Sequence, residues 1–279
     1  MTKQSSPSGL DHLSLGKASE YVDQYSPGLL QPVPRSLNRQ DLGIVDKQPF
    51  EGVDIWNGYE LSWLNRKGKP CLALLQAIVP ASSPNLIESK SFKLYLNSFN
   101  QWKLDNKEQL QALLEKDLTE CAAAPVRVSL FDIQGDARFE VSHFPDALLL
   151  DELDVEIEQY QPDSTLLQTT NKLVDKTHLS HLLKSNCLIT SQPDWGSVFI
   201  RYQGREIVPE SLLKYLVSFR QHNEFHEQCV ERIFCDLMAQ CHPEKLTVYA
   251  RYTRRGGLDI NPFRSNFESP YPNQRMIRQ

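Results

Sequence analysis

Apolar positions recur along the chain with two spacings, and the change of spacing marks the elements. Cys71-Leu-Ala-Leu-Leu-Gln-Ala-Ile-Val79 is a near-continuous apolar run ending at Pro80, which predicts a strand. Leu110, Leu113, Leu114, Leu118 and Cys121 share one helical face behind Asn106, read as an N-cap with Gln109 three residues on. The stretch 125–133 alternates and predicts another strand. Trp56, Tyr59 and Trp63 mark 53–65 as a strand or turn packed on a core, and a loop over 81–85 leads into the apolar segment 86–99. Further on, 197–203 reads as a strand and Pro209 opens a helix that reaches Phe219. Asn223 is expected to cap a longer helix whose Phe225, Cys229, Ile233 and Leu237 line one side, and 245–252 alternates as a strand. Residues 1–45, with Pro27, Pro32 and Pro34, show no period and read as an extended arm wrapping another surface.

The order of elements repeats. Glu88-Ser89 precedes Tyr95-Leu-Asn-Ser-Phe99, and Glu210-Ser211 precedes Tyr215-Leu-Val-Ser-Phe219. Each is followed by a capped helix, a proline-bearing turn (Pro125, Pro243) and an alternating strand. The expectation is an α+β chain of two related halves, each an antiparallel sheet with helices packed on one face.

Composition narrows the function classes. With 279 residues, 40% hydrophobic and 23% charged, the chain can build one large or two modest cores. A formal charge of -5 gives no global pull toward nucleic acid or an anionic membrane, so any anion site must be a local cluster of cations. The first residues lack the apolar core of a signal peptide, and the run 71–81 contains Gln76 and Pro80 and is too short to span a bilayer. Six cysteines without a Cys-x-x-Cys pair read as reduced thiols of a cytoplasmic protein.

The candidate chemistry gathers around Cys187. It stands among Ser185, Asn186 and Thr190, with Asp194 seven residues on in the turn-like Pro193-Asp-Trp-Gly196. Cys187 is either a buried structural thiol or a reactive one; Asp194 is either a turn residue or a proton donor beside it. His226-Glu227 opens a helix, where the dipole favours an ionised Glu227 and a neutral His226. Glu88-Ser-Lys90-Ser91-Phe-Lys93 and Arg251-Tyr-Thr-Arg254-Arg255-Gly256-Gly257 each read as a solvated element end; together they could serve a phosphorylated cofactor. No Gly-x-Gly occurs, so neither a dinucleotide fingerprint nor a P-loop is present, and no metal is expected, although a dispersed zinc set stays open.

Glu88-Ser-Lys-Ser-Phe-Lys-Leu-Tyr95, Ser185-Asn-Cys187 with Asp194, Phe225-His226-Glu227 and the arm from Leu15-Gly-Lys to Asn38 together resemble the long form of the NADPH-dependent 7-cyano-7-deazaguanine reductases, nitrile reductases of queuosine biosynthesis. The resemblance implies two tandem tunnelling-fold (T-fold) modules, here 46–162 and 163–279 after an arm 1–45. It further implies a homodimer, and a soluble cytoplasmic enzyme that contacts no nucleic acid directly. By the same likeness Cys187 is the nucleophile that forms a thioimide, Asp194 its proton donor, and His226 a proton source for the second stage. Glu88, Ser89, Lys90, His226 and Glu227 would hold the deazaguanine; Lys90, Ser91, Arg255 and Gly256, with Arg254 near the phosphates, would hold NADPH. The competing readings are a zinc-dependent cyclohydrolase-like hydrolase of the same fold and a non-catalytic purine- or pterin-binding module.

Overall fold

The structure, a computed structural model, describes residues 22–45, 47–132, 146–276 and 278–279. After a single turn at Pro27–Leu29 come β1 (Pro32–Pro34) and α1 (Ser36–Arg39). The first half continues with β2 (Glu51–Leu64), β3 (Pro70–Pro80), β4 (Asn85–Ile87), α2 (Ser89–Asn97), α3 (Lys107–Ala122) and β5 (Arg127–Phe131). The second half comprises β6 (Leu148–Leu149), β7 (Thr169–Asn186), β8 (Pro193–Ile207), α4 (Pro209–Ser218), α5 (His226–Cys241), β9 (Lys245–Tyr252) and β10 (Leu258–Ser265).

Eight strands form one sheet in the order β5-β3-β2-β10-β9-β8-β7-β6, antiparallel except for the short β6–β7 pair. The halves meet at β2 and β10, where Ile260 stands opposite Trp56. Trp56, Ala77 and Ile260 lie on the face covered by α2 and α3; Arg264 and its partner Val248, on that same face, lie under α5. The helices thus share one face, as expected for this α+β class. β9, read as an alternating strand, is covered on both faces. Tyr249 and Phe263, on the side away from the helices, pack with Tyr271 of the C-terminal segment at ring distances of 5.4–6.0 Å.

The duplication extends to individual atoms. Tyr95 and Tyr215 each donate to an aspartate one helix on, Asp117 and Asp236, both at 2.7 Å. Ser98 and Ser218 each donate to the carbonyl of that tyrosine at 2.6 Å. Ser91 and Ser211 donate to the carbonyls of Glu88 and Val208 at 2.7 Å, and accept from the backbone N–H of Gln31 and Gln168 at 3.0 and 3.1 Å. The matching of Glu88-Ser89 with Glu210-Ser211 is therefore two residues out of register: Ser91 corresponds to Ser211 and Glu88 to Val208. Leu29-Leu30-Gln31 and Leu166-Leu167-Gln168 are equivalent too, so the first repeat reaches back into the stretch read as an arm.

The rest of the described arm ties the two halves together: β1 pairs with β4 of the first half, and Arg39 and Asn38 reach Glu231 and Glu224 of the second. Arg35 pairs with Asp54 at 2.5 Å, Arg39 with Glu231 at 2.7 Å, and Arg264 bridges Asp54 (2.8 Å) and Glu231 (3.0 Å), all well buried. Burial alone would raise the Asp54 carboxyl; Arg264 and Arg35 overcome it and hold it below the usual range.

Candidate active site

β7 and β8 form a hairpin in which Asn186 pairs with Pro193 and Ser185 with Asp194. Lys184–Asn186 and Pro193–Gly196 are therefore strand, not loop: ladder pairing overrides the turn-like composition. The connecting loop 187–192 is closed by Cys187 N–H donating to the Gln192 carbonyl (2.8 Å) and Ser191 N–H donating to the Cys187 carbonyl (3.0 Å). Cys187 and Asp194 are both buried, at 4% and 5% exposure. On the Asp194 face, Gly196 leaves room for the Tyr252 ring, which a Cβ would approach to 3.1 Å. Tyr252 in turn stands edge-on to His226 with centroids 4.2 Å apart.

Those contacts set His226 with Nε2 3.6 Å from Asp194 Oδ1, while Arg255 Nη1 lies 3.2 Å from the same oxygen. Burial lowers the His226 pKa to about 4; Asp194 opposes the shift, and Arg255 and Lys93 add to it. The imidazole is neutral at pH 7, as expected, with burial the larger cause. Glu227 departs from expectation. Burial, then the charge of Asp54, raises its carboxyl well above the usual range and favours the protonated form over what the helix dipole prefers. Asn223 is not the cap of α5 either. Phe225 holds that position, its N–H donating to the Gln228 side chain at 3.3 Å.

Glu88 caps α2: its two carboxyl oxygens accept from the backbone N–H of Lys90 and Ser91, both at 2.7 Å. It is 1% exposed, and burial raises its carboxyl against the pull of those two bonds and of Lys93 and Lys90. The starts of α2 and α5 flank a narrow cleft lined by Trp56, Glu88, Ser89, Phe225, His226 and Glu227. The first half thus supplies Glu88 and Ser89, the second half His226 and Glu227, and Asp194 stands against His226.

Cations border this set. Lys93, one turn beyond Ser89 on α2, has its ammonium lowered by burial and by Arg255, and supported by Glu88, Asp194 and Cys187. In the sequence Lys93 counts in a cation cluster with no role of its own, although its spacing of three from Lys90 puts both on one helical face. Gly256 and Gly257 have φ of +59° and +75° in the tight turn between β9 and β10, and a Cβ on Gly256 would lie 3.0 Å from Lys93 Cδ. Two of the residues expected at the cofactor have other contacts here. Ser91 is wholly buried and its hydroxyl is committed to Gln31 and Glu88, a brace that Ser211 repeats away from the site. Arg254 lies over the Tyr59 ring at 4.6 Å.

Among the described residues no three His, Cys, Asp or Glu side chains gather as a metal set, and no helix is long and apolar enough to cross a membrane.

Residues 21–130 match the family model described as nitrile reductase, 7-cyano-7-deazaguanine-reductase N-term, and residues 193–271 match the model described as QueF-like protein. Proteins named NADPH-dependent 7-cyano-7-deazaguanine reductase from Ralstonia nicotianae and Cupriavidus metallidurans are each 57% identical over 274 residues, covering 96% of this chain and 99% of theirs. The one from Cupriavidus necator is 56% identical over the same shares. With likeness of that extent, and with both matched segments contributing to the cleft, the chain belongs to the family of NADPH-dependent 7-cyano-7-deazaguanine reductases.

Proposed function

We propose that this chain reduces the nitrile of 7-cyano-7-deazaguanine to the aminomethyl group for queuosine biosynthesis, as a cytoplasmic homodimer without direct nucleic-acid contact. The division into arm 1–45 and modules 46–162 and 163–279 belongs to the same reading, with the first repeat's frame starting at Pro27. The observation that carries the reaction is the meeting of Asp194, His226 and the cleft between Glu88 and Glu227 beside the Cys187 hairpin.

The sulfur of Cys187 adds to the nitrile carbon: a C–S bond forms, one C≡N π bond breaks, and its electron pair moves to nitrogen. The thiol proton ends on that nitrogen with Asp194 as carrier, giving a neutral thioimide. Addition matters because a C=N carbon accepts hydride where the nitrile resists it. NADPH, when bound, supplies one hydride for each of the two reductions, so R–C≡N with two NADPH and two protons gives R–CH2–NH2 and two NADP+. Arg255, Lys90 and the Gly256 turn beside Lys93 fit an anionic cofactor, since they concentrate positive charge in a protein of net charge -5. His226, neutral at pH 7 and 3.6 Å from Asp194, relays the later proton. Glu88 and Glu227 accept from the N–H edge of the deazaguanine, with Ser89 and Lys90 alongside.

Stoichiometry tests the reading: two NADPH should be consumed per nitrile. One would mean release at the imine stage, and none with tight nitrile binding would favour a binding module.

A further inference from the structure

Asn223 lies three residues short of α5 and caps nothing, yet both ends of its side-chain amide are engaged. Its Oδ1 accepts from Asn186 Nδ2 at 3.0 Å, and its Nδ2 donates to Ser191 Oγ at 2.9 Å. The backbone alongside is tied as well: Asn186 N–H donates to the His222 carbonyl (2.8 Å) and Glu224 N–H donates to the Asn186 carbonyl (3.0 Å). Asn186 is the residue before Cys187, and Ser191, with φ of +54°, is the strained shoulder of the same loop. One amide therefore holds both flanks of the nucleophile's loop. Its opposite wall is apolar, with Leu188 and Ile189 packed on Val33, Leu86 and Phe225.

The segment that carries Asn223 is itself fixed. Glu224, 2% exposed, accepts two bonds from Arg232 (3.1 and 2.7 Å) and one from Asn38 of the arm (3.2 Å), and lies 2.9 Å from His222 Nε2. Three residues past Asn223 the chain becomes His226-Glu227 of the cleft. The nucleophile's loop and the substrate-holding end of α5 are thus joined through four residues. Addition to a nitrile depends on the spacing between the sulfur and the held ring, and a displacement of about 1 Å costs on the order of a hundredfold.

We propose that Asn223 is a positioning residue for the covalent step, setting the Cys187 loop against the His226–Glu227 end of the cleft. The proposal rests on Cys187 being the nucleophile. Rates of adduct formation with 7-cyano-7-deazaguanine, read from intact mass over time, test it in the full-length protein. Asn223→Ala should slow adduct formation about 10- to 100-fold, while nitrile affinity measured with Cys187→Ala as the background stays within about twofold. Ser191→Ala, which removes one of the two contacts, should slow it less, and the double variant should be no slower than Asn223→Ala alone, because the contacts share one amide. A purely structural role would instead weaken binding and lower Tm without a separate effect on the rate at saturating nitrile. An unchanged rate in Asn223→Ala overturns the proposal; if that variant does not fold, an unchanged rate in Ser191→Ala does so. If the wild type forms no adduct at all, the nucleophile reading fails first and the two failures are distinguished.

Discussion

Two hairpins and two helix starts, one of each in either repeat, show how a duplicated frame comes to hold one site. The β2–β3 turn is an ordinary exposed one: Asn65 Oδ1 accepts from the N–H of Lys67 and Lys69, and Gly68 supplies φ of +81°. Its counterpart between β7 and β8 leaves Thr190, Ser191 and Gln192 exposed but buries Cys187, and is clamped by Asn223. The helix starts differ the other way round. Ser91 and Ser211 make the same brace, but the first repeat caps its helix with Glu88 where the second has Val208. The brace is architecture and was copied. The acid and the thiol each stand in only one copy, and on the proposed reading they carry the chemistry where the two halves face each other.

The largest expected effect concerns the two caps. Glu88→Ala removes a buried acceptor that faces the cleft, and kcat/KM should fall by roughly a hundredfold or more, the penalty of leaving a substrate donor unpaired. It should also cost about 1 kcal/mol of stability for the lost cap. Val208→Ala, at the equivalent position, should leave kcat/KM unchanged within about twofold. Equal losses from the two would remove the functional distinction between the helix starts.

A smaller effect follows from Glu227. Burial holds its proton, and the ionised form is the better acceptor for an N–H edge, so nitrile affinity in Cys187→Ala should strengthen as pH rises from 6 to 9, by up to about tenfold per unit near its pKa. The stability sign is opposite. The folded protein keeps a proton that the unfolded chain has released, so raising the pH through the folded pKa costs stability, and Glu227→Gln should recover it at high pH. Calorimetric titration with matched thermal melts reads both; a pH-independent affinity would contradict the assignment.

The smallest effect should be shared by both repeats. Tyr95→Phe and Tyr215→Phe each take a donor from an aspartate, Asp117 buried and Asp236 half-buried, and each should lose about 1–3 kcal/mol in denaturant unfolding with kcat/KM unaltered. A stability loss confined to one of them would break the equivalence of the frames.

How much of this was legible in the sequence depended on burial pattern. β3, α3, α4 and β9 carry their periods plainly because each has a face in a core. β7 escaped notice because its outer half is exposed on both sides, Leu173 at 77%, so no alternation marks it. Asn223 looked like a cap because an amide before a helix usually is one; only the fold shows a loop close enough to claim it. Cys187, Asp194, His226, Glu227, Glu88, Ser89 and Arg255 were singled out through a family likeness; the structure gathers Glu88, Ser89, His226 and Glu227 at one cleft, with Asp194 against His226 and Arg255. Lys93 was given no role, and the bracing role of Ser91 was not seen, for one reason: which residues of a helix's first turns face a cleft depends on its partner. The copied Leu-Leu-Gln before each repeat was an unused signal, and it would have corrected the slip in register.

The central claim, that Cys187 in the second half attacks a nitrile held from both halves, is tested most directly by intact mass. Wild-type protein mixed with 7-cyano-7-deazaguanine in the absence of NADPH should gain the whole mass of the nitrile, since addition expels nothing, and Cys187→Ala should gain none. No adduct on the wild type, or an adduct that persists in Cys187→Ala, would contradict it.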